Sequence, residues 1–171
     1  VESKKADSTQ QIALIEITAQ YKDTLTDLFL RNNRSDTTRF FRPFALDTES
    51  ATRIANYRGL DMYFLGVIDQ TACGFTMLRG MDEGFEIPSF GIFVDHEHRA
   101  KGLGQLLTLK TINAARKAGF NRLRLTVHES NCGAVRLYES IGFRETLREP
   151  IDSDEGIDTK ITMILDFDYL K

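Results

Sequence analysis

Three features of this chain predict an α/β (α+β) fold built on a mixed central sheet. Apolar runs of strand length alternate with stretches of helical periodicity. Residues 62–68 and 72–79 flank the short turn Asp69-Gln70-Thr71, an antiparallel hairpin. Residues 85–94 and 122–127 flank a long amphipathic stretch, a parallel pair joined by a right-handed helical crossover.

Composition narrows the class. At 171 residues one domain is expected, and a 42% hydrophobic content supplies a sizeable core. Residues 1–10 are polar and read as a disordered lead-in, leaving 11–171 as a single domain. The chain starts at Val1 rather than Met, so its first residues are either native or foreign to the natural chain. A net charge of -3 favours neither nucleic acid nor an anionic membrane, both of which select a basic face. No apolar stretch reaches the roughly 18 residues of a spanning helix, and no signal-peptide pattern opens the chain. Cys73 and Cys132 lack metal-ligand spacing and read as free thiols, which predicts a cytoplasmic location.

In chain order, residues 11–18 carry Ile12, Leu14, Ile15 and Ile17 and form a first strand. Residues 19–32 place Tyr21, Leu25, Leu28 and Phe29 at helical spacing. Residues 33–38 are a polar loop, followed by the aromatic run Phe40-Phe41-Arg42-Pro43-Phe44. Asp47 or Thr48 caps a helix over 49–58 that Gly59 stops. After the hairpin and a loop at 80–84, the strand 85–94 feeds a charged turn, and a helix over 103–118 turns Leu103, Leu106, Leu107, Ala114, Ala115 and Ala118 inward. The strand at 122–127 alternates Leu123, Leu125 and Val127 with polar residues. Asn131 caps a helix closed by Gly142. Residues 143–147 form a strand, 150–158 an acidic loop, and 160–167 the last strand. Ile161, Met163, Leu165 and Phe167 share one face, either a core face or a homodimer surface.

The chemistry concentrates between Ile92 and Leu107. An apolar strand ends, a charged turn follows, and two glycines open a helix. Consecutive backbone N–H groups and the positive end of the helix dipole suit a diphosphate there, and Gly102 and Gly104 let the backbone approach closely. Neither GxxxxGK[ST] nor GxGxxG is present; what stands is Arg-x-x-Gly-x-Gly from Arg99 to Gly104.

This hexapeptide resembles the acetyl-coenzyme A loop of the GNAT N-acetyltransferase superfamily. The later run from Asn131 to Phe143 resembles the second signature of that superfamily, Asn-x-x-Ala-x-x-x-Tyr-x-x-x-Gly-Phe. The resemblance spans about residues 62–145. It implies a GNAT fold, a mixed sheet of about seven strands with about four flanking helices, whose parallel strands splay at the acetyl-CoA cleft. It implies that Ile92, Phe93 and Val94 line the pantetheine arm through free backbone groups. Arg99, Ala100, Lys101, Gly102, Leu103, Gly104 and Gln105 would hold the diphosphate, mainly through backbone, with Lys101 near the 3′-phosphate. Asn131 and Ala134 would complete the cofactor site.

The resemblance also implies acetyl transfer to an amine by direct attack in a ternary complex. Tyr138 stands where the family places a general acid and also borders the cofactor. For the base several residues stay open: Glu86, by its strand parity with Ile92 and Val94; Ser89 through water; His96, His98 or His128; or bound water alone. Cys132, without a paired base, is read as a bystander. Phe41, Arg42, Arg79 and Ser89 are candidates for the acceptor pocket, and a weaker likeness to bacterial aminosugar-type members implies a small-molecule amine, such as a nucleotide-linked aminosugar. Acetylation of a protein or peptide, or a non-catalytic acetyl-CoA-binding domain, are the alternatives.

Overall fold

The computed structural model describes residues 11–169. Residues 1–10, expected to be disordered, lie outside them. The described residues form one seven-stranded sheet in the order β1-β2-β3-β4-β5-β7-β6. The strands are β1 (Ala13–Glu16), β2 (Met62–Ile68), β3 (Thr71–Arg79), β4 (Ser89–Val94), β5 (Arg122–His128), β6 (Arg144–Ser153) and β7 (Gly156–Asp166). The helices are α1 (Lys22–Asn32), the four-residue α2 (Ser35–Thr38), α3 (Thr48–Ala55), α4 (Leu103–Lys117) and α5 (Cys132–Ile141).

The β2–β3 hairpin closes on Asp69 and Gln70, both at positive φ, as its tight turn demands. On one face of the sheet α1 and α3 bury Leu25, Leu28, Phe29, Ala51 and Ile54 against Phe75, Met77 and Phe93. On the other, α4 and α5 bury Ile112, Ala115, Tyr138 and Ile141 against Leu123, Leu125 and Val127. Leu107 of α4 lies against bare backbone: a Cβ at Gly66 would come within 2.5 Å of its Cδ2, and one at Gly74 within 2.7 Å of its Cδ1. This close approach seats the first turn of α4 at the end of β4.

Several elements differ from expectation. β4 starts at Ser89, and residues 85–88 belong to the preceding loop. α3 ends at Ala55 with Asn56 as its C-cap, short of Gly59. On α4, Leu106 is 45% exposed, and Thr108 and Thr111 turn inward instead. Thr111 reconciles its hydroxyl with burial by bonding Thr76 Oγ1 and the Leu107 carbonyl. The expected acidic loop at 150–158 is a hairpin, with β6 and β7 paired from Arg144↔Ile164 to Ser153↔Gly156. Pro150 fits because β6 is an edge strand, where a missing N–H costs little. Ile161, Met163, Leu165 and Phe167 are buried core residues within the protomer, so that face is not an exposed dimer surface.

Candidate active site

β4 and β5 run parallel but share only the bridge Ser89↔Arg124, supported by the Arg124 N–H donating to the Pro88 carbonyl at 3.0 Å. Beyond it the strands diverge, while β4 stays paired to β3 as far as Val94. The β5-side edge of β4 from Phe90 to Val94 is thus free of sheet partners, and a cavity of about 910 Å³ fills the opening.

At one end of this cavity lies the turn into α4. Ala100 (φ 59°) and Gly102 (φ 74°) are left-handed, and Gly102 is the N-cap of α4 without a side-chain cap. The amides at the start of α4 are those that no helix can satisfy internally. Among the described residues no backbone N–H from Arg99 to Gln105 donates to another protein group. Nothing lies within 4 Å of the position a Cβ would take at Gly102. This concave row of bare donors at a helix N-terminus fits a diphosphate.

The loop is braced from behind. Asp95, fully buried, accepts from Arg31 Nε at 3.0 Å and Asn32 Nδ2 at 2.6 Å, and pairs with His98 Nδ1 at 2.7 Å. Asn32 in turn accepts the His96 N–H at 2.9 Å. Burial alone would raise the Asp95 pKa, but hydrogen bonds from Arg31, Asn32 and His98 outweigh it and bring it to about 2. The end of α1 is therefore bolted to the turn that precedes the diphosphate loop, a coupling that the sequence alone does not signal.

Most candidate residues converge on the cavity. Ser89, Ile92, Phe93 and Val94 line it from β4, with Ala100, Gly102, Leu103 and Gly104 from the loop and α4. Asn131, Ala134 and Tyr138 line it from α5, where the Asn131 side chain caps the helix by accepting the Ala134 N–H at 3.4 Å. Arg99 lines it too, but its guanidinium is turned to α2, bonding Asp36 at 2.8 Å and Thr37 Oγ1 at 2.5 Å. Any grip on phosphate at Arg99 is left to its backbone. Tyr138 is buried between Phe90 and Phe143, and that burial pushes its phenol further above the ordinary tyrosine range.

Three candidates stand apart. Lys101 and Gln105 are exposed and outside the cavity wall, Lys101 donating to the Glu97 carbonyl at 3.4 Å. Glu86 is a correction: it sits exposed in the loop before β4, so its presumed strand parity does not exist and it does not line the cavity.

On the other side, Phe41, Arg42 and Arg79 line the cavity. Phe41 is also core, packed edge-on against Phe93 at 5.1 Å. Arg79 lies over Phe44 at 5.7 Å, and its buried Nε has no hydrogen-bond partner. Arg39 and Arg42 reach from the segment after α2 to Glu155 (2.7 Å) and Asp154 (3.2 Å) at the β6–β7 turn. Sequence reasoning missed Asp36 and Thr37, because α2 is short and polar, and Ile151, because its segment was taken for a loop; Lys160, expected at the start of the last strand, also lines the cavity. β5 runs one residue beyond the expected end at Val127, which puts His128 on the face of Thr126, opposite Leu125 and Val127, and all four line the cavity.

A family model described as "Acetyltransferase (GNAT) family" matches residues 25–143, and the chain belongs to this family. Acetyl-CoA is the family's acyl donor, and the diverging strands and bare-amide loop fit it. Over 86 residues the chain is 40% identical to a mycothiol acetyltransferase of Thermobispora bispora, covering 47% of this chain and 29% of that protein. Over 82 residues it is 37% identical to the [ribosomal protein bS18]-alanine N-acetyltransferase of Escherichia coli, covering 47% of this chain and 55% of that one. The match thus spans about half or less of these curated relatives. Spermidine N-acetyltransferase from Vibrio cholerae, solved with CoA and spermine, superposes with a TM-score of 0.77 at 18% identity, covering 92% of this chain and 96% of that chain. At that identity it is the fold that is shared. Among the described residues no helix is long and apolar enough to cross a membrane.

A Cβ at Gly104 would meet Leu137 Cδ2 at 3.5 Å and Val94 Cγ2 at 3.8 Å, ordinary contacts. Gly104→Ala is therefore expected to keep coenzyme affinity within a few-fold. Gly104→Phe, whose ring must enter the cavity, is expected to lose roughly tenfold or more by titration calorimetry with an unchanged melting temperature. Equal affinity for both variants contradicts the loop assignment.

Proposed function

We propose that this protein transfers the acetyl group of acetyl-CoA to the primary amine of a small acceptor that carries negative charge, with a nucleotide-linked aminosugar as the acceptor class. One observation carries the reading: the free edge of β4 and the bare amides before α4 open into the same cavity as Phe41, Arg42 and Arg79. Acetyl-CoA supplies an activated acyl thioester. The chain's residues bind its diphosphate at the loop, offer the β4 amides as an added-strand edge, and exclude water with the aromatic cluster around Phe41 and Phe93. Tyr138, kept protonated by burial, is a proton donor for the departing sulfur.

The charge of the acceptor end supports an anionic acceptor. Four cations, Arg42, Arg79, Arg99 and Lys160, line the cavity with two acids, Asp36 and Glu83; Arg99 pairs with Asp36, and Arg42 and Lys160 also reach Asp154 and Glu149 outside it. The Arg79 guanidinium, whose buried Nε lies 4.0 Å from Asp61 Oδ2, adds a cation to that wall. A polyamine fits such a wall poorly. The second reading, acetylation of a peptide N-terminus, draws on the relative whose name gives ribosomal protein alanine as its acceptor.

Thiol release measured with a UDP-linked aminosugar, glucosamine 1-phosphate, an alanine-terminated peptide and spermidine separates these readings. The aminosugar compounds are expected to turn over fastest and spermidine slowest. Preference for the peptide supports the second reading, and preference for spermidine contradicts the charge argument.

A further inference from the structure

We propose that His128, oriented by Asp158, is the group that takes the proton from the incoming ammonium. This rests on the acetyl-transfer reading above and adds a base to it.

His128 ends β5 on the strand face it shares with Thr126, opposite the core residues Leu125 and Val127. It lines the cavity, and Phe40 packs edge-on against its ring at 5.8 Å from the acceptor-side segment. Its Nδ1 is 3.0 Å from Asp158 Oδ2, across on β7. The Asp158 carboxylate also accepts from Ser130 Oγ at 2.5 Å, Ser130 N–H at 3.3 Å and Thr159 N–H at 2.7 Å. The Ser130 bond foremost, with those of Thr159 and His128, brings Asp158 to about 2 against its partial burial, so it stays ionised at any working pH. An ionised partner on Nδ1 keeps the proton on that nitrogen and leaves Nε2 with its lone pair. The side chain is 11% exposed, reachable from the cavity but sheltered from bulk water. Glu86, the residue placed for this task by sequence, stands outside the cavity, and His98, the other histidine on the cavity wall, is held by Asp95 in the turn before the diphosphate loop.

The charged groups around it are otherwise engaged. Lys160, its register partner on β7, pairs with Glu149 at 3.0 Å. Glu129, next in sequence, pairs with Arg148. Arg39, which covers the Phe40 ring, pairs with Glu155 at 2.7 Å.

The proton balance closes. Nε2 takes one proton from the ammonium and later yields it to solvent. The freed lone pair forms the C–N bond as the C–S bond breaks, its electron pair leaving with sulfur. Tyr138 protonates that sulfur and recovers a proton from the acylated nitrogen.

The test compares wild type with His128→Gln, which can still bond Asp158 but does not titrate, and with Asp158→Asn. The pH dependence of kcat/KM is measured with the fastest acceptor of the panel. His128→Gln is expected to lower kcat/KM roughly 10- to 100-fold, to remove the acidic limb of the profile, and to leave the Kd for CoA unchanged by calorimetry. O-methylhydroxylamine, uncharged at neutral pH and needing no base, is expected to show less than a threefold defect in the same variant. A profile that keeps its acidic limb, or an equal loss with the uncharged nucleophile, overturns the proposal and makes His128 a strut between β5 and β7. Failure of wild type to bind CoA sinks the underlying reading, whereas binding and turnover unaffected by His128→Gln sinks this one alone.

Discussion

Replacing Tyr138 by Phe is expected to lower kcat by on the order of a hundredfold with the Kd for acetyl-CoA unchanged. The variant keeps the ring that meets Phe90 at 6.3 Å and Phe143 at 5.6 Å, so the packing of α5 against the sheet survives. What it removes is the O–H of a buried residue that lines the cavity. Burial pushes that phenol up, so it is fully protonated through the neutral range and can deliver its proton only as negative charge develops on the sulfur. Single-turnover rates separate this from slow product release. Turnover equal to wild type, with folding and affinity intact, removes the acid role from Tyr138.

Asp95→Ala is expected to cost about 3 kcal/mol of stability, a fall in Tm of roughly 6–12 °C for a chain of this size. The substitution strands Arg31 Nε and leaves Asn32 Nδ2 with only the Leu28 carbonyl at 2.9 Å. It also unbolts the turn at 96–98 from α1, so coenzyme affinity should fall together with stability. The pH dependence has a definite sign. Asp95 is lowered to about 2 in the fold, so its contribution is present above the unfolded carboxyl value near 3.8 and is lost as pH falls towards 2. That loss amounts to about 2 kcal/mol in wild type and should be missing from the variant's acid-unfolding curve. A variant within about 1 kcal/mol of wild type contradicts the bracing role.

The legible parts of the sequence were those where local chemistry and tertiary structure ask for the same residue. Gly102 is required both by its left-handed φ and by the open phosphate side of the turn, and Gly142 (φ 116°) by the end of α5. Asn131 is at once cap and cavity wall. What stayed hidden was set by distant partners. α2 is four polar residues whose place is fixed by Arg99, more than sixty positions away. Residues 150–158 read as an acidic loop because the edge position that accommodates Pro150 in a strand is a property of the finished sheet, not of the segment. That misreading also hid Asp158, and with it the partner that gives His128 its orientation. The parity argument for Glu86 failed since the strand it presumed begins three residues later.

The most direct measurement is calorimetric titration of the folded protein with CoA and acetyl-CoA, alongside Gly104→Phe. A single saturable site for both ligands, raising the Tm of wild type and weakened in the variant, is the predicted result. No heat and no thermal shift from protein whose circular dichroism shows it folded would contradict the claim that the parted strands and the bare amides before α4 form a coenzyme site.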